Sequence, residues 1–323
     1  MIKNKKVLIT GAAGFIGSNL TEELLKHDNF LVLIDNYNDF YQGKEEQLNE
    51  VIGNYRNSED YKIIKGDILD INLYNELDHD FDYIFHLAAY ASVRYSIEHA
   101  VKVTHNNITG TVNLFEYALK LKNIKKIIFA SSSSVYGNPL YTPLDENHPK
   151  NPICPYAISK LCGEIYADYY FRELGLPITS LRFYTVYGPR GRPDMAVRKF
   201  FNLIFKNQEI TIYGDGEQLR DFTYISDIVN GLILSGEKDE ANGEVFNLGC
   251  SEPISVNELV DKMYFITRKS RKVKYTEKQI GDVNITHSDI SKAKKFLNYN
   301  PKVSIDEGLE ITYQWQKKNF EGD

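Results

Sequence analysis

Over about the first 180 residues, short apolar runs alternate with longer stretches whose apolar positions follow a helical period. The short runs are nearly continuous, which is typical of strands in a parallel sheet covered on both faces. Strands that alternate with helices indicate right-handed βαβ units, so the sequence predicts an α/β fold with a doubly wound parallel sheet. The predicted strands are 6–10, 30–35, 61–65, 83–89, 126–131 and 178–183, and the predicted helices are 15–27, 106–121 and 156–174.

The alternation of strands and helices breaks after about residue 184. Glycine and proline cluster at 187–193, and glycine recurs at 213–216, which are loop signals. The stretch 229–235 followed by 244–249 resembles one more helix–strand unit of the main sheet. We therefore predict a first domain of residues 1–184 and 229–255, and a second, smaller α/β lobe of residues 185–228 and 256–323.

Composition and charge narrow the classes of function. The chain has 323 residues, 42% hydrophobic and 25% charged, as in an ordinary globular protein. It lacks a run of about 18 apolar residues and the apolar core of a signal peptide, so neither a membrane span nor a secretory leader is expected. A net charge of −6 without a basic block argues against a nucleic-acid partner.

Cysteine and histidine usage predicts a reduced, cytoplasmic protein without a bound metal. The three cysteines, Cys154, Cys162 and Cys250, are odd in number and widely spaced. Cys154 is an alternative nucleophile, but no histidine or acid lies at a motif spacing that would activate it. The seven histidines show no metal-ligand pattern, and His86, within an apolar strand, is predicted to be a packed core residue.

A glycine-rich turn joins the first predicted strand to the first predicted helix. Its sequence is Gly11-Ala12-Ala13-Gly14-Phe15-Ile16-Gly17. Such glycines permit a tight turn and let backbone N–H groups and the helix N-terminus approach a pyrophosphate. Asp35 ends the second strand 18 positions beyond Gly17, where its carboxylate accepts hydrogen bonds from ribose hydroxyls and repels a 2′-phosphate. The pattern predicts a Rossmann-type site for NAD rather than NADP.

Candidate catalytic residues lie four positions apart in the predicted helix 156–174. Tyr156 and Lys160 therefore share one helix face. A tyrosine has a reference pKa of about 10, and a neighbouring ammonium group together with a positive nicotinamide ring would lower that pKa toward neutrality. The serine run 131–134, at the end of a predicted strand, supplies hydroxyls able to bind a substrate hydroxyl or carbonyl.

With these motifs the chain resembles the extended short-chain dehydrogenase/reductase family over essentially its full length, and within it the nucleotide-sugar 4-epimerases. Further matching stretches are 66–68, 86–89, 182–189 and 220–222. The resemblance implies that Asp67 and Ile68 flank the adenine and that Tyr184 lies near the nicotinamide. The cofactor-binding residues predicted in this way are Gly11, Gly14, Phe15, Ile16, Gly17, Asp35, Asn36, Asp67, Ile68, Leu87, Ala88, Ala89, Asn106, Tyr156, Lys160 and Tyr184.

The family mechanism implies a catalytic set of Tyr156, Lys160 and Ser132. Tyr156 takes the proton from the sugar 4-hydroxyl while C4 gives hydride to NAD, and the hydride returns to the opposite face of the transient 4-keto sugar. Related dehydratases and decarboxylases carry acidic residues where this chain has Ser133 and Ser134, so epimerisation is favoured.

The stretch 187–195 resembles a motif of UDP-glucuronate 4-epimerases, which predicts conversion of UDP-glucuronate to UDP-galacturonate. Arg192 would grip the sugar carboxylate, Arg220 the diphosphate, and Tyr213 would pack against uracil. The predicted substrate-binding residues are Thr185, Arg192, Tyr213, Arg220 and Asp282. Two alternatives stay open: an epimerase of UDP-glucose or UDP-N-acetylglucosamine, and a catalytically silent NAD-binding regulator. The family also implies a homodimer, in which helices such as 106–121 and 156–174 pair.

Overall fold

A computed structural model describes residues 1–55, 60–279 and 283–320. The strands in these ranges are β1 (Lys6–Thr10), β2 (Phe30–Asp35), β3 (Tyr61–Lys65), β4 (Tyr83–His86), β5 (Lys126–Ser132), β6 (Ile178–Phe183), β7 (Thr185–Tyr187), β8 (Ile210–Tyr213), β9 (Leu219–Arg220), β10 (Phe222–Tyr224), β11 (Val245–Leu248), β12 (Ile254–Ser255) and β13 (Val273–Thr276). The helices are α1 (Phe15–Leu25), α2 (Lys44–Gly53), α3 (Ile71–Asn75), α4 (Val93–Glu98), α5 (Ala100–Thr104), α6 (Gly110–Ala118), α7 (Pro155–Leu174), α8 (Ala196–Phe205), α9 (Ile225–Glu237), α10 (Val256–Thr267), α11 (Ser291–Leu297) and α12 (Ile305–Phe320).

Seven parallel strands form the main sheet, in the order β11-β6-β5-β4-β1-β2-β3. The order reverses between β1 and β4, because β2 and β3 lie on one side of β1 while β4, β5 and β6 lie on the other. In open sheets of this kind the ligand site lies at the carboxyl ends of the strands beside the reversal. The predicted α/β fold with a doubly wound parallel sheet is confirmed.

The core lies on both faces of this sheet, which explains the continuous apolar runs. Along β1, Val7 and Ile9 belong to one buried cluster, while Leu8 between them belongs to the cluster on the opposite face. All three side chains are fully buried. A strand covered on both faces needs apolar residues at every position, so the run cannot alternate.

Three two-stranded sheets flank the main one: β7 with β10, β8 with β13, and β9 with β12. Their strands come from residues 185–276, whereas every main-sheet strand lies within 1–184 or 229–255. β12 lies within the range predicted for the first domain but pairs with β9, in the range predicted for the second lobe, and the division into two domains stays a prediction. The helix expected at 229–235 is longer and begins at Ile225.

The predicted helix 106–121 differs from the observed one. It is preceded by α5, contains a π-helical turn at His105–Thr109, and ends in α6 at Ala118. A π-turn inserts one extra residue into the helical ladder and is frequent near functional sites. Here Asn107 bonds to both backbone groups of Tyr90, 2.9 Å from the amide nitrogen and 3.2 Å from the carbonyl oxygen. Through these two hydrogen bonds, the π-helical turn fixes the loop that follows β4.

Within the described ranges, no helix combines the length and the apolarity that crossing a membrane requires. All three cysteines lie in these ranges, and each has a free thiol. Cys154 is buried and caps the N-terminus of α7, where its Sγ accepts from the Ala157 amide at 3.5 Å. The thiol has a structural contact of its own beside the catalytic helix.

Candidate active site

The glycine-rich turn brings backbone close to backbone at the carboxyl end of β1. Gly11 has φ +73°, and a Cβ there would lie 2.7 Å from the Ala88 nitrogen. A Cβ on Gly17 would lie 2.1 Å from the Gly11 carbonyl oxygen. α1 begins at Phe15, and its N-cap Gly14 offers no side-chain acceptor to the first helical N–H groups. The turn is therefore a cradle of backbone donors at a helix N-terminus, which suits a pyrophosphate.

Asp35 stands at the carboxyl end of β2, only 8% exposed. It accepts hydrogen bonds from the amides of Ala13 at 3.0 Å and Tyr37 at 2.9 Å. Burial raises the pKa of this carboxyl, while these hydrogen bonds and the nearby Lys44 ammonium oppose the rise. A carboxylate has about four acceptor positions, so this arrangement leaves room for ribose hydroxyls.

The adenosine half of the predicted cofactor site forms one compartment with about 550 Å³ of open space. At the rim of this compartment, Asn36 donates a hydrogen bond to Asp67 at 2.9 Å. This bond joins the ends of β2 and β3. Asp67 in turn accepts from the Leu69 amide at 2.9 Å and shapes the turn after β3. The predicted cofactor residues that line this compartment are Gly11, Gly14, Asp35, Asn36, Ile68, Leu87, Ala88, Ala89 and Asn106.

A second, larger compartment of about 1180 Å³ adjoins the first and shares Gly11, Gly14, Leu87 and Ala89 with it. It is the place where the proposed chemistry would occur. The sequence-predicted residues that meet here are Phe15, Ile16, Gly17, Ser132, Tyr156, Lys160, Tyr184, Thr185 and Arg192. The structure thus gathers residues from four separated stretches of the chain around one space.

Tyr156 lies in the first turn of α7 and faces this space. Burial raises the pKa of the tyrosine, whereas a hydrogen bond with Ser132 and the positive charge of Arg192 lower it. Lys160 donates to the Ala130 carbonyl at 2.6 Å. Burial lowers the pKa of Lys160 to about 7, against the opposing influence of the Glu164 carboxylate. The sequence alone could not reveal this cost of burying the lysine.

His86 supports the site from beneath, as a buried neutral side chain. Its Nδ1 lies 2.7 Å from the Thr10 hydroxyl and its Nε2 lies 2.9 Å from the Thr111 hydroxyl. Thr111 donates its own proton to the Asn107 carbonyl, so Nε2 must be the protonated nitrogen. Burial lowers the pKa of His86 to about 3. The prediction of a packed core histidine is confirmed.

Three buried hydroxyls that line the second compartment have no hydrogen-bond partner within the described structure: Tyr41, Ser134 and Tyr184. A buried hydroxyl without a partner costs about 1–3 kcal/mol. A polar ligand in the compartment would supply the missing partners. Together with the glycine cradle, these hydroxyls fit a dinucleotide and a sugar in the same space.

Arg192 lines the second compartment, and its side chain is 13% exposed. Its Nε and Nη2 donate to the two carboxylate oxygens of Asp194 at 3.0 and 2.7 Å, and its Nη1 donates to the Ala91 carbonyl. The guanidinium also lies over the Phe40 ring, 5.2 Å from its centroid. Within the described residues, three of its five N–H groups have partners, which leaves two for a ligand.

An outer groove continues from the second compartment and shares Phe40, Ala91 and Arg192 with it. Tyr213 lines this groove, with the Arg94 guanidinium 5.6 Å from its ring centroid. Arg220 donates to the carbonyls of Leu219 at 2.8 Å and Val283 at 2.6 Å, so its contact with a diphosphate stays a prediction. Asp282 lies outside the described residues.

Two features of the site had no clear signal in the sequence. Asn107 bonds to Ser159 of α7 at 3.0 Å, but a second asparagine beside Asn106 looks like a surface residue of a helix. Glu164 and Arg182 form a buried ion pair behind the catalytic helix, 18 positions apart in the chain. Among the described residues, no group of His, Cys, Asp and Glu is arranged to hold a metal ion.

Comparison with known proteins identifies the family. A UDP-glucuronate 4-epimerase of Thermodesulfobacterium geofontis is 39% identical over 319 residues, covering 97% of each chain. The structure of a UDP-glucuronic acid 4-epimerase from Bacillus cereus with UDP-glucuronic acid and NAD has a TM-score of 0.91 and 36% identity, covering 97% of this chain and 99% of that one.

A UDP-N-acetylglucosamine 4-epimerase from Methanobrevibacter ruminantium M1, in complex with UDP-N-acetylmuramic acid, has a TM-score of 0.90 and 35% identity. The match covers 98% of this chain and 100% of that one. Residues 8–312 also match the sequence profile of the family described as GDP-mannose 4,6 dehydratase. The chain belongs to this family, a branch of the extended short-chain dehydrogenases/reductases.

Proposed function

We propose that the chain is an NAD-dependent 4-epimerase of UDP-sugars that converts UDP-glucuronate to UDP-galacturonate through a transient 4-keto sugar. The observation that carries this proposal is the meeting of Tyr156, Lys160, Ser132 and Arg192 around one space that opens onto the glycine cradle. The relatives named UDP-glucuronate 4-epimerase, similar along nearly the whole chain, support it.

NAD, when bound, supplies a hydride acceptor for C4 of the sugar and can return the hydride to either face. The cradle at Gly11 and Gly14 would hold its pyrophosphate, and Asp35 its adenosine ribose. Lys160 would contact the nicotinamide ribose from the floor of the second compartment. Because the cofactor is regenerated in each turnover, we expect it to stay bound during purification.

The chain's own residues move the proton at O4. Tyr156 as phenolate accepts the proton of the sugar 4-hydroxyl. The same tyrosine returns the proton after the 4-keto sugar has rotated within the site. Ser132, which shares a hydrogen bond with Tyr156, orients O4 toward it. Lys160 in its charged form stabilises the phenolate. Nothing acidic stands at Ser133 or Ser134, so the site lacks the extra acid that elimination or decarboxylation would use there.

The two unoccupied N–H groups of Arg192 support the proposal that the substrate sugar carries a carboxylate. They would form a second, end-on pair with the sugar carboxylate while Asp194 keeps the other edge of the guanidinium. Phe40 and the Ala91 carbonyl hold the guanidinium in place for this contact. Such a pair recognises a planar carboxylate and has no equivalent in a neutral hexose.

The same arginine also gives the alternative its strongest support. Asp194 already balances the charge of Arg192, so a neutral UDP-hexose would not leave a buried, unpaired cation in the site. Epimerisation of UDP-glucose or UDP-N-acetylglucosamine is therefore the second candidate. Parallel incubation with UDP-glucuronate, UDP-glucose and UDP-N-acetylglucosamine, without added NAD, tests both. Conversion of UDP-glucuronate with the highest kcat/KM supports the first, and a preference for either neutral sugar supports the second.

We further propose a homodimer formed through α7 and the helical stretch that begins with α5 and continues through the predicted helix 106–121 to the end of α6. Large apolar side chains stand exposed on this part of the surface, among them Val101 at 85% and Ile165 at 62%. Tyr169, also on α7, is 47% exposed. Sedimentation should give twice the chain mass, and Ile165→Glu should give monomers.

Three free thiols support a reducing compartment, and we propose the cytoplasm.

A further inference from the structure

Behind the catalytic residues of α7 lies a buried acid that the proposed mechanism does not use. Tyr156, Lys160 and Glu164 follow one another at intervals of four residues and therefore share one face of the helix. Tyr156 and Lys160 border the second compartment. Glu164 lies one turn further along, 6% exposed. A carboxylate at such depth needs a specific set of partners.

Glu164 has such partners in Arg182 and Ser131. Glu164 Oε1 accepts from Arg182 Nε at 2.9 Å and Oε2 accepts from Arg182 Nη2 at 2.6 Å. Oε1 also accepts from the Ser131 hydroxyl at 2.5 Å. Arg182 is itself fixed on its far side by the Tyr136 hydroxyl at 2.8 Å, which donates to Asn247 at 2.7 Å. The carboxylate therefore has a fixed position.

The network reaches the catalytic groups through the end of β5. Ser131 stands between Ala130, whose carbonyl accepts from Lys160, and Ser132, which bonds to Tyr156. The hydrogen bond between Ser131 and Glu164 thus fixes the backbone segment that makes both contacts. α7 and the carboxyl end of β5 are tied together at the point where the chemistry occurs.

The charge of Glu164 matters because the other groups that favour an ammonium ion at Lys160, the Ala130 carbonyl and the Phe129 ring, are uncharged. On its own helix the lysine faces Tyr156 and Glu164, and β5 contributes the Phe129 ring at 5.1 Å. From β4 it faces His86, which burial keeps neutral. Burial lowers the pKa of Lys160 to about 7, and Glu164 is the charged group that counteracts this fall.

We propose that Glu164, fixed by Arg182, is a positioning residue that keeps Lys160 protonated beside Tyr156. This inference rests on the proposed function for its meaning in catalysis, because a charged Lys160 is what stabilises the Tyr156 phenolate. It does not depend on which sugar is the substrate. Glu164 touches neither substrate nor cofactor and acts through the lysine one helical turn away.

The test is a direct titration of Lys160 in the protein as purified, labelled with ¹³Cε-lysine, with the resonance assigned by its loss in Lys160→Met. In Glu164→Gln we expect the pKa of Lys160 to fall by about one unit, since a unit negative charge one turn away is lost. The alkaline limb of the kcat/KM profile should move down by the same amount. At about one pH unit above that limb, this shift means roughly a tenfold loss of activity.

Two further variants separate charge from structure. Glu164→Gln leaves Arg182 buried and unpaired, so the double variant Glu164→Gln/Arg182→Gln removes both charges and with them the unpaired ion. Its Lys160 pKa should fall less than in Glu164→Gln, because the positive charge of Arg182 is lost together with the carboxylate. The matched control Tyr136→Phe breaks the network on the far side of Arg182 but keeps both charges, and should leave the Lys160 pKa unchanged.

An unchanged Lys160 pKa in both Glu164 variants would overturn the proposal, as would an equal fall in Tyr136→Phe. The titration is independent of turnover. If the wild-type protein epimerises no UDP-sugar, the proposed function fails while the Lys160 measurement still decides the role of Glu164.

Discussion

Arg192→Met is the substitution that separates a carboxylate-binding arginine from a structural one. Methionine keeps part of the apolar contact with Phe40 and removes every donor of the guanidinium. Two of those donors are unoccupied and available to a sugar carboxylate. The Asp194 carboxylate left behind is 48% exposed, so water can solvate it at little cost.

The expected magnitude is worked out with the arginine–carboxylate pair counted as one charge-assisted contact. A hydrogen bond to a charged group contributes about 1.5–3 kcal/mol, and the arginine side chain is too buried for water to replace it fully. At 1.36 kcal/mol for each factor of ten, kcat/KM for UDP-glucuronate should fall roughly ten- to 150-fold. For UDP-glucose, which lacks the carboxylate, kcat/KM should fall only by the amount that the local loop contacts of Arg192 contribute. The ratio of the two losses isolates the carboxylate contact.

The assay measures initial rates of wild type and variant on both sugars, with products identified by NMR. Arg192→Lys should recover only part of the lost rate, because an ammonium group cannot reproduce the planar fork. Arg94→Met is the matched control, since Arg94 faces Tyr213 in the outer groove and should affect both substrates alike. An equal loss on the two sugars in Arg192→Met would refute the reasoning and leave Arg192 as a structural residue of its loop.

Further predictions address the base, its neighbour and the cofactor. Tyr156→Phe keeps the ring but removes the proton acceptor, so kcat should fall on the order of 10²–10⁴-fold, and near wild-type rates in a folded variant would exclude Tyr156 as the base. Lys160→Met removes a positive charge beside the phenolate; the tyrosine pKa then rises, and the acid limb of the pH–rate profile should move to higher pH. An unmoved acid limb would contradict that role. Denatured protein should release NAD(H), identified by chromatography, because Asp35 disfavours a 2′-phosphate; mainly NADP(H) would contradict this assignment.

Local sequence patterns predicted the main sheet well because most of its strands are buried on both faces; the edge strand β3 is the exception, with its side chains partly or fully exposed. The strands at 6–10, 30–35, 61–65 and 178–183 have the predicted bounds. The strand expected at 83–89 ends at His86, because Leu87 to Ala89 turn away to line the cleft. An apolar run does not distinguish a strand from a cleft wall, since both exclude water.

Long-range pairs account for what the sequence could not predict. The Glu164–Arg182 ion pair depends on how α7 packs against β6, and the sequence around neither residue indicates the other. The depressed pKa of Lys160 has the same origin, because burial depends on every surrounding element. The spacing of four residues predicted Tyr156 and Lys160 as a pair. How strongly the two side chains influence each other depends on the folded surroundings of both.

The proposed activity is tested by conversion of UDP-glucuronate by the purified protein, without added cofactor. ¹H NMR distinguishes the 4-epimers, and the reaction can be followed from either sugar to equilibrium. We expect UDP-galacturonate to appear from UDP-glucuronate, and UDP-glucuronate from UDP-galacturonate, with NAD carried by the protein itself. Absence of conversion in both directions by folded protein that contains NAD, or conversion of UDP-glucose with a higher kcat/KM, would contradict the account.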